Sequence, residues 1–318
     1  MPPMRQPRLL CLLCQQSRAL STSSRRLAEQ KSTPKPPANV AATPKAVPPS
    51  PLADAPRSYG KRVEDFTPTP LSRPIGLSYP PELGQNTGID FRTLKQRRDD
   101  FVNYDKHLER REYLKDKMSR PYFRDWGNLQ FHKGKTFIAP PRLFKGGLAL
   151  YFPNLYGQTL LKTDKEPRDT TPVLRGRVSV VSVFSGVWAE NQCKTFMSKE
   201  SNPAVEQIIA ENRARAQHVR VNIEEDPLKA FLVRLWMGGI RRQVGEENYE
   251  RYFLVRKGIS DEIREAIGLL NSKVGYTYLL DADCRIRWAG SGPSEDHERE
   301  GLVKGLQRLL LEGPHKAK

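Results

Sequence analysis

Residues 176–193, GRVSVVSVFSGVWAENQC, decide the fold. Positions 177–184 are dominated by β-branched and apolar side chains and are bounded by Gly176 and by Ser185-Gly186, as expected for a strand covered on both faces. From 188 to 199 the pattern predicts a turn into a helix, which carries the chain out of the sheet and back across it. Working outward, 218–223 predicts a second strand, 228–236 a helix with an apolar face that ends at Met237-Gly238-Gly239, and 261–270 another helix. Residues 276–280 and 285–289 predict two strands joined by a tight turn at 281–284. A closing helix runs from about 294 to 311, with Ser294 as its N-cap.

A βαβ start, further helices, a hairpin and a closing helix is the order of a thioredoxin-like α/β domain, placed here at 173–313. Redox members of that fold carry their cysteine pair just after the first buried strand, where the helix N-terminus stabilises a thiolate. Here that place holds Trp188 and Cys193, with no cysteine three residues from Cys193 and with Glu190 beside it to oppose ionisation. The position before the hairpin, the other half of a redox site, reads Val274-Gly275-Tyr276. Trp188, Cys193, Gly275 and Tyr276 therefore mark a degenerate site, and Cys193 is expected to be a packing thiol. Cys284, in the hairpin turn, has no visible partner. The competing reading is a thiol-dependent oxidoreductase or peroxidase that uses Cys193.

The front of the chain has a different composition. Residues 1–28 contain no Asp or Glu, while Arg5, Arg8, Arg18, Arg25 and Arg26 alternate with leucines and are followed by serines, the pattern of a mitochondrial presequence. A positive helix is drawn inward by the inner-membrane potential, worth about 2.3 kcal/mol per charge per 100 mV. The run Arg18-Ala19-Leu20-Ser21 resembles a matrix-peptidase site and predicts cleavage between Leu20 and Ser21. Cys11 and Cys14, a C-x-x-C inside the segment to be removed, then have no role in the mature protein. Residues 29–89, rich in Pro, Ala, Ser and Thr, read as a disordered linker that buries too little apolar surface to offset its ordering entropy.

Residues 90–120 predict one long charged helix with a thin stripe of Phe91, Leu94, Phe101, Leu108 and Met118, either a solvated helix or a docking arm. In the segment 121–172 aromatic residues are interleaved with cations, among them Arg124, Trp126, Phe131, Lys135, Phe137, Arg142, Phe144 and Lys145. Such a mixture can bury area while attracting acidic groups, or can cover one side of the following domain. A lone His132 has no companion at metal-ligand spacing, and no metal site is read here.

The formal net charge of +17 suits an acidic partner: nucleic acid, an anionic membrane face or an acidic protein. Four cysteines, two of them in the first 14 residues, exclude the disulfide framework of a small secreted domain. The apolar runs are far shorter than the roughly 20 residues that span a bilayer. Five segments carry a more specific signal: PYFRDW (121–126), FIAPPRLFK (137–145), YFPNLYG (151–157), GYTYLLD (275–281) and CRIRWAGSG (284–292). In these the chain resembles the mitochondrial ATP synthase assembly factors that chaperone the membrane proton-channel subunit, subunit a or subunit 6, over roughly residues 90–311.

The resemblance implies a matrix protein associated with the inner membrane, which holds the new channel subunit and helps it join the membrane-sector ring. It implies no cofactor and no catalytic residue. On it, the stretch from Arg124 to Lys145 is expected to hold the client. A protein that binds mitochondrial RNA or the ribosome remains the alternative suggested by charge alone, and nucleic acid is the less favoured partner. Sequencing the N-terminus of protein purified from mitochondria should find Ser21 first; an intact Met1 would refute the processing.

Overall fold

The structure is a computed structural model that describes residues 50–59, 62–119, 121, 123–164 and 166–312. The expected presequence, with Cys11, Cys14 and the Leu20-Ser21 junction, lies outside the described residues. In chain order the elements are α1 (Leu94–Val102), α2 (Tyr104–Ser119), α3 (Arg124–Gly127), β1 (Tyr156–Thr159), β2 (Arg168–Asp169), α4 (Thr171–Leu174) and β3 (Val178–Phe184). There follow α5 (Gly186–Met197), α6 (Pro203–Glu211), β4 (Ala216–Ile223), α7 (Pro227–Leu235), α8 (Met237–Val244), β5 (Tyr252–Val255), α9 (Asp261–Ile267), β6 (Tyr276–Leu280), β7 (Ile286–Ser291) and α10 (Asp296–Glu312).

The strands form one sheet in the order β2-β1-β5-β4-β3-β6-β7. Strand β3 is parallel to β4, from Val178 opposite Ala216 to Phe184 opposite Asn222, and antiparallel to β6. All seven of its residues are buried, which is why it carries so few polar side chains. Val181 and Val183 pack with Phe253, Ile267 and Tyr278, whereas Val178 and Val180 pack with Phe196, Trp288, Leu302 and Leu306. A central β-α-β unit extended by an antiparallel hairpin, with a closing helix, is the thioredoxin-like arrangement expected from the sequence. Beyond that expectation the sheet gains β5, parallel to β4, and the antiparallel edge β1 and β2.

The segment 284–292 explains itself as a fastening for other parts of the chain. Arg285 donates to Gly146 O at 2.6 Å and lies over the Tyr151 ring. Arg287 donates to Phe144 O at 2.7 Å and pairs with Asp281 and Glu312. Trp288 Nε1 donates to Pro140 O at 3.1 Å, and Ser291 Oγ accepts from the backbone N–H groups of Thr136 and Phe137. The hairpin edge is thereby covered by residues 136–151, which removes the hazard of an open edge strand.

The Pro-rich stretch differs from expectation. Leu52, Ala55, Leu71 and Ile75 are buried in the main core cluster, so residues 50–59 and 62–89 are not a free linker. Leu71 N donates to Ile138 O, Ile138 N to Thr69 O, and Leu77 and Tyr151 exchange a reciprocal pair at 2.8 Å each way. Proline forbids a regular strand here but not an extended strap, which needs few ladder bonds and still delivers apolar side chains at intervals.

The charged helix is also revised. It is two helices, because Asn103 adopts an extended conformation at the end of α1 and its Oδ1 then accepts from Asp105 N and Lys106 N, as a helix N-cap does. No residue of α1 is buried, and Phe91, Leu94, Phe101 and Met118 of the expected stripe are all strongly exposed. Arg92 and Lys106 both pair with Asp100.

Ser294, expected to cap the last helix, bonds instead to Thr195 of α5 through both its N–H and its Oγ. The cap is supplied from inside the helix: Glu298 Oε2 accepts from Glu295 N at 2.9 Å, the reciprocal half of a capping box. The same buried carboxylate accepts from Ala139 N at 2.8 Å and from Lys135 Nζ at 2.6 Å. Lys135, read from sequence as a surface cation, is thus buried and pins its segment to α10. Removing one member of a buried pair leaves the other charge without compensation. Glu298→Ala should therefore lower the stability to urea by about 3–5 kcal/mol, while a surface pair such as Lys304–Glu300, changed in the same way, should shift it by less than about 1 kcal/mol.

Candidate functional site

The parallel pair β3 and β4 brings two helix starts to the same sheet edge: α5 leaves β3 at Gly186, and α7 leaves β4 at Pro227. Crevices outside the carboxyl ends of parallel strands are where folds of this kind bind ligands. A cavity of about 210 Å³ lies there, bounded by Phe184 and Ser185, by Glu224 to Asp226, and by Asn271 to Val274.

At the first turn of α5, Val187 and Trp188 are exposed, Trp188 by 55%. Cys193, in contrast, lies almost two turns further on and is buried. Its Sγ is 3.7 Å from Val183 O and 3.6 Å from Tyr276 O. Burial above all, with the nearby Glu190 carboxylate, pushes the thiol up to about 12 against the pull of surrounding hydrogen bonds. Hydrogen bonding from the Thr277 side chain and the Tyr276 backbone lowers it without offsetting that loss of water. A nucleophilic or redox cysteine needs the opposite environment.

Gly275 seals the thiol from the other side. A Cβ at this position would overlap the Ala189 carbonyl and stand 2.8 Å from Cys193 Sγ. Gln192 holds this close approach: its Oε1 accepts from Gly275 N at 2.9 Å and its Nε2 donates to Lys133 O at 3.0 Å. Tyr276 is buried, with its hydroxyl accepting from Asn271 N at 3.1 Å. Cys284 is equally buried, its thiol pushed up to about 12 by desolvation, and both cysteines are free. Among the described residues no group of three or more His, Cys, Asp or Glu side chains could hold a metal ion.

The aromatic and basic segment divides in two. Its first part docks on the loop that bounds the cavity: Asp125 Oδ2 accepts from Ser272 Oγ at 2.6 Å, Asn271 Nδ2 donates to Asp125 O, and Lys273 lies over the Trp126 ring at 5.7 Å. Trp126 remains 52% exposed and Phe123 73%. Arg124 and Phe131 are half-buried. The second part rests on β7 and α10, with Arg142 and Lys145 exposed and Phe144 packed against the core. Phe137, fully buried, and Lys135 belong to the interior and drop out of the expected client surface. The residues that the structure adds are Gln192, Phe123 and Val187. Phe123 and Val187 could have been flagged as apolar side chains beside helix starts, but nothing in the sequence signals that Gln192 would bridge two distant segments.

A family model described as "ATP10 protein" matches residues 57–309. The mitochondrial ATPase complex subunit ATP10 of Eremothecium gossypii is 29% identical over 242 residues, covering 75% of this chain and 85% of that protein. The protein of the same name from Saccharomyces cerevisiae is 28% identical over 250 residues, covering 75% and 86%. Among solved structures, a putative thiol:disulfide interchange protein DsbE from Chlorobium tepidum aligns with 51% of this chain and 96% of its own, at 16% identity and a TM-score of 0.33. A secreted thiol-disulfide isomerase from Corynebacterium glutamicum aligns with 53% and 90%, at 9% identity and a TM-score of 0.36.

The sealed thiol has a pH signature. Above pH 9.0, the ordinary thiol value, unfolded chains release the Cys193 proton while the folded protein keeps it, so stability falls as pH rises from 9.0 toward 12. Urea unfolding should show this alkaline loss, and Cys193→Ala should make it shallower whatever the variant's stability at neutral pH. A thiol reagent should label position 193 only on unfolding; fast labelling of the folded protein would contradict the geometry.

Proposed function

Since the chain belongs to the ATP10 protein family, we propose that it is an assembly factor for the mitochondrial ATP synthase, acting by binding rather than by catalysis. Its client is the newly made membrane subunit a (subunit 6), which it holds at the matrix face of the inner membrane until that subunit joins the membrane-sector ring. The names of the relatives, subunits of the mitochondrial ATPase complex, support the complex and the compartment.

The observation that carries the reading is the contrast at the sheet edge. The one cysteine near the place of redox chemistry is sealed beneath Gly275, while Val187 and Trp188 at the start of α5, and Phe123 and Trp126 in the segment that docks on the loop at 271–273, stand exposed. Exposed apolar side chains without a reactive centre can cover a hydrophobic helix and release it unchanged. Large aromatic side chains are suited to this because they bury much area at little conformational cost. Among the described residues no helix is long and apolar enough to cross a membrane.

Loss of the protein should remove assembled ATP synthase from native gels while leaving the other respiratory complexes in place. The double variant Trp126→Ala with Trp188→Ala should lower co-purification of subunit a by at least about tenfold and keep its fold. Unchanged capture by the folded variant would refute the assigned surface. If Cys193→Ser abolished assembly without unfolding the protein, the binding-only reading would fall.

A further inference from the structure

The backbone enters the left-handed region three times in succession, at His132, Lys133 and Gly134, with φ of 45°, 58° and 86°. L residues visit that region singly, because Cβ there crowds the following carbonyl. Glycine alone is free of the penalty. Gly134 also has no space for a side chain, since a Cβ would stand 2.6 Å from Val274 and 2.7 Å from Leu129. Two turn bonds close the reversal, from Gly134 N to Phe131 O at 2.7 Å and from Lys135 N to His132 O at 3.2 Å. His132 and Lys133 are exposed and bury little to offset their backbone.

The two sides of this turn are held differently. Beyond it the chain is fixed, with Lys135 on buried Glu298 and with Thr136 and Phe137 bonded to Ser291. Before it, residues 123–131 rest on the 271–273 loop through polar contacts to Ser272 N and Oγ, Asn271 and Lys273. That seating is incomplete: Asp125 Oδ1 is buried and takes no hydrogen bond from the described residues. The left-handed turn and the unpaired carboxylate oxygen both oppose the seated arrangement, and both are relieved when the segment lifts. Against them stand the bond from buried Asn128 to Arg57 O at 3.3 Å, the half-buried Leu129, and the bond from Gln192 to Lys133 O.

We propose that residues 123–131 form a flap, hinged at 132–134, that lifts from the 271–273 loop to admit the client. Asp125 walls a second cavity of about 250 Å³, which shares Glu225, Arg264 and Ser272 with the cavity of about 210 Å³ described above. Lifting takes Asp125 away and widens the space beside the first cavity. The lifted form is a minor state that the client selects. The proposal rests on the reading above only for what is admitted.

The test is amide hydrogen exchange of the folded chain, resolved by residue and with no client present. Three N–H groups report lifting: Gly134 and Lys135, whose turn bonds unwind, and Ser272, which donates to Asp125 Oδ2 at 3.2 Å. They should exchange together, and faster than the amides of β3. Relative to β3, Lys133→Gly should slow all three by about fivefold by removing one left-handed penalty, and Lys133→Val should quicken them by at least as much. Exchange of the three only together with β3, or at rates that neither substitution moves, would overturn the flap. Capture of subunit a should be slower with Lys133→Gly and faster with Lys133→Val, and equal rates would overturn the admission step. The exchange experiment contains no client, so its failure and failure of the client reading are seen in different measurements.

Discussion

Between Gly275 and helix α5 there is no room for a methyl group, and much of the molecule is arranged around that closeness. The loop before β6 lies directly on the Ala189 carbonyl and on Cys193. Gln192 fixes the approach and, with its other end, holds the backbone at Lys133. Asn271 and Ser272 of the same loop take hold of Asp125. One tight backbone contact therefore closes the thiol and positions the segment that carries Trp126.

The result is a thioredoxin-like frame whose customary place of reaction has become a wall. A helix N-terminus favours a thiolate, but only for a sulfur that water or a partner can reach. Here the first turn of α5 offers Val187 and Trp188, and the sulfur is withdrawn into the interior. The exposed apolar side chains of this turn thus stand apart from any accessible thiol among the described residues. Exposed aromatic area of this kind is where binding surfaces draw most of their strength.

The strands β3, β4, β6 and β7 could be read directly, because β-branched runs between glycine and turn signals leave little alternative. The short β5, Tyr252–Val255, gives too few residues for a period, and β1 contains Gly157 and Gln158 where a strand pattern is expected. The lack of a cysteine neighbour for Cys193 is legible in the sequence, whereas its burial is a matter of the fold. The burial of Lys135 was not legible either, since its partner Glu298 lies 163 residues away and composition shows only another lysine among aromatics. For α7 the stripe itself could be read, but a stripe does not say whether it turns inward or outward. The Pro-rich stretch misled for a related reason: averaging over 29–89 conceals Leu52, Leu71 and Ile75, each of which finds a place in the core.

That strap also constrains how the polypeptide acquires its shape. Gly76 N bonds to Ala266 O, and Leu52 packs beside Gly268, so residues near the beginning of the folded unit close against residues near its end. Contacts of such long sequence separation form late, after most of the loop-closure entropy has been met. A chain delivered N-terminus first must carry these leucines unburied until α9 has emerged. The chain thus has a vulnerable interval, which ends when residues 52–76 fasten against α9.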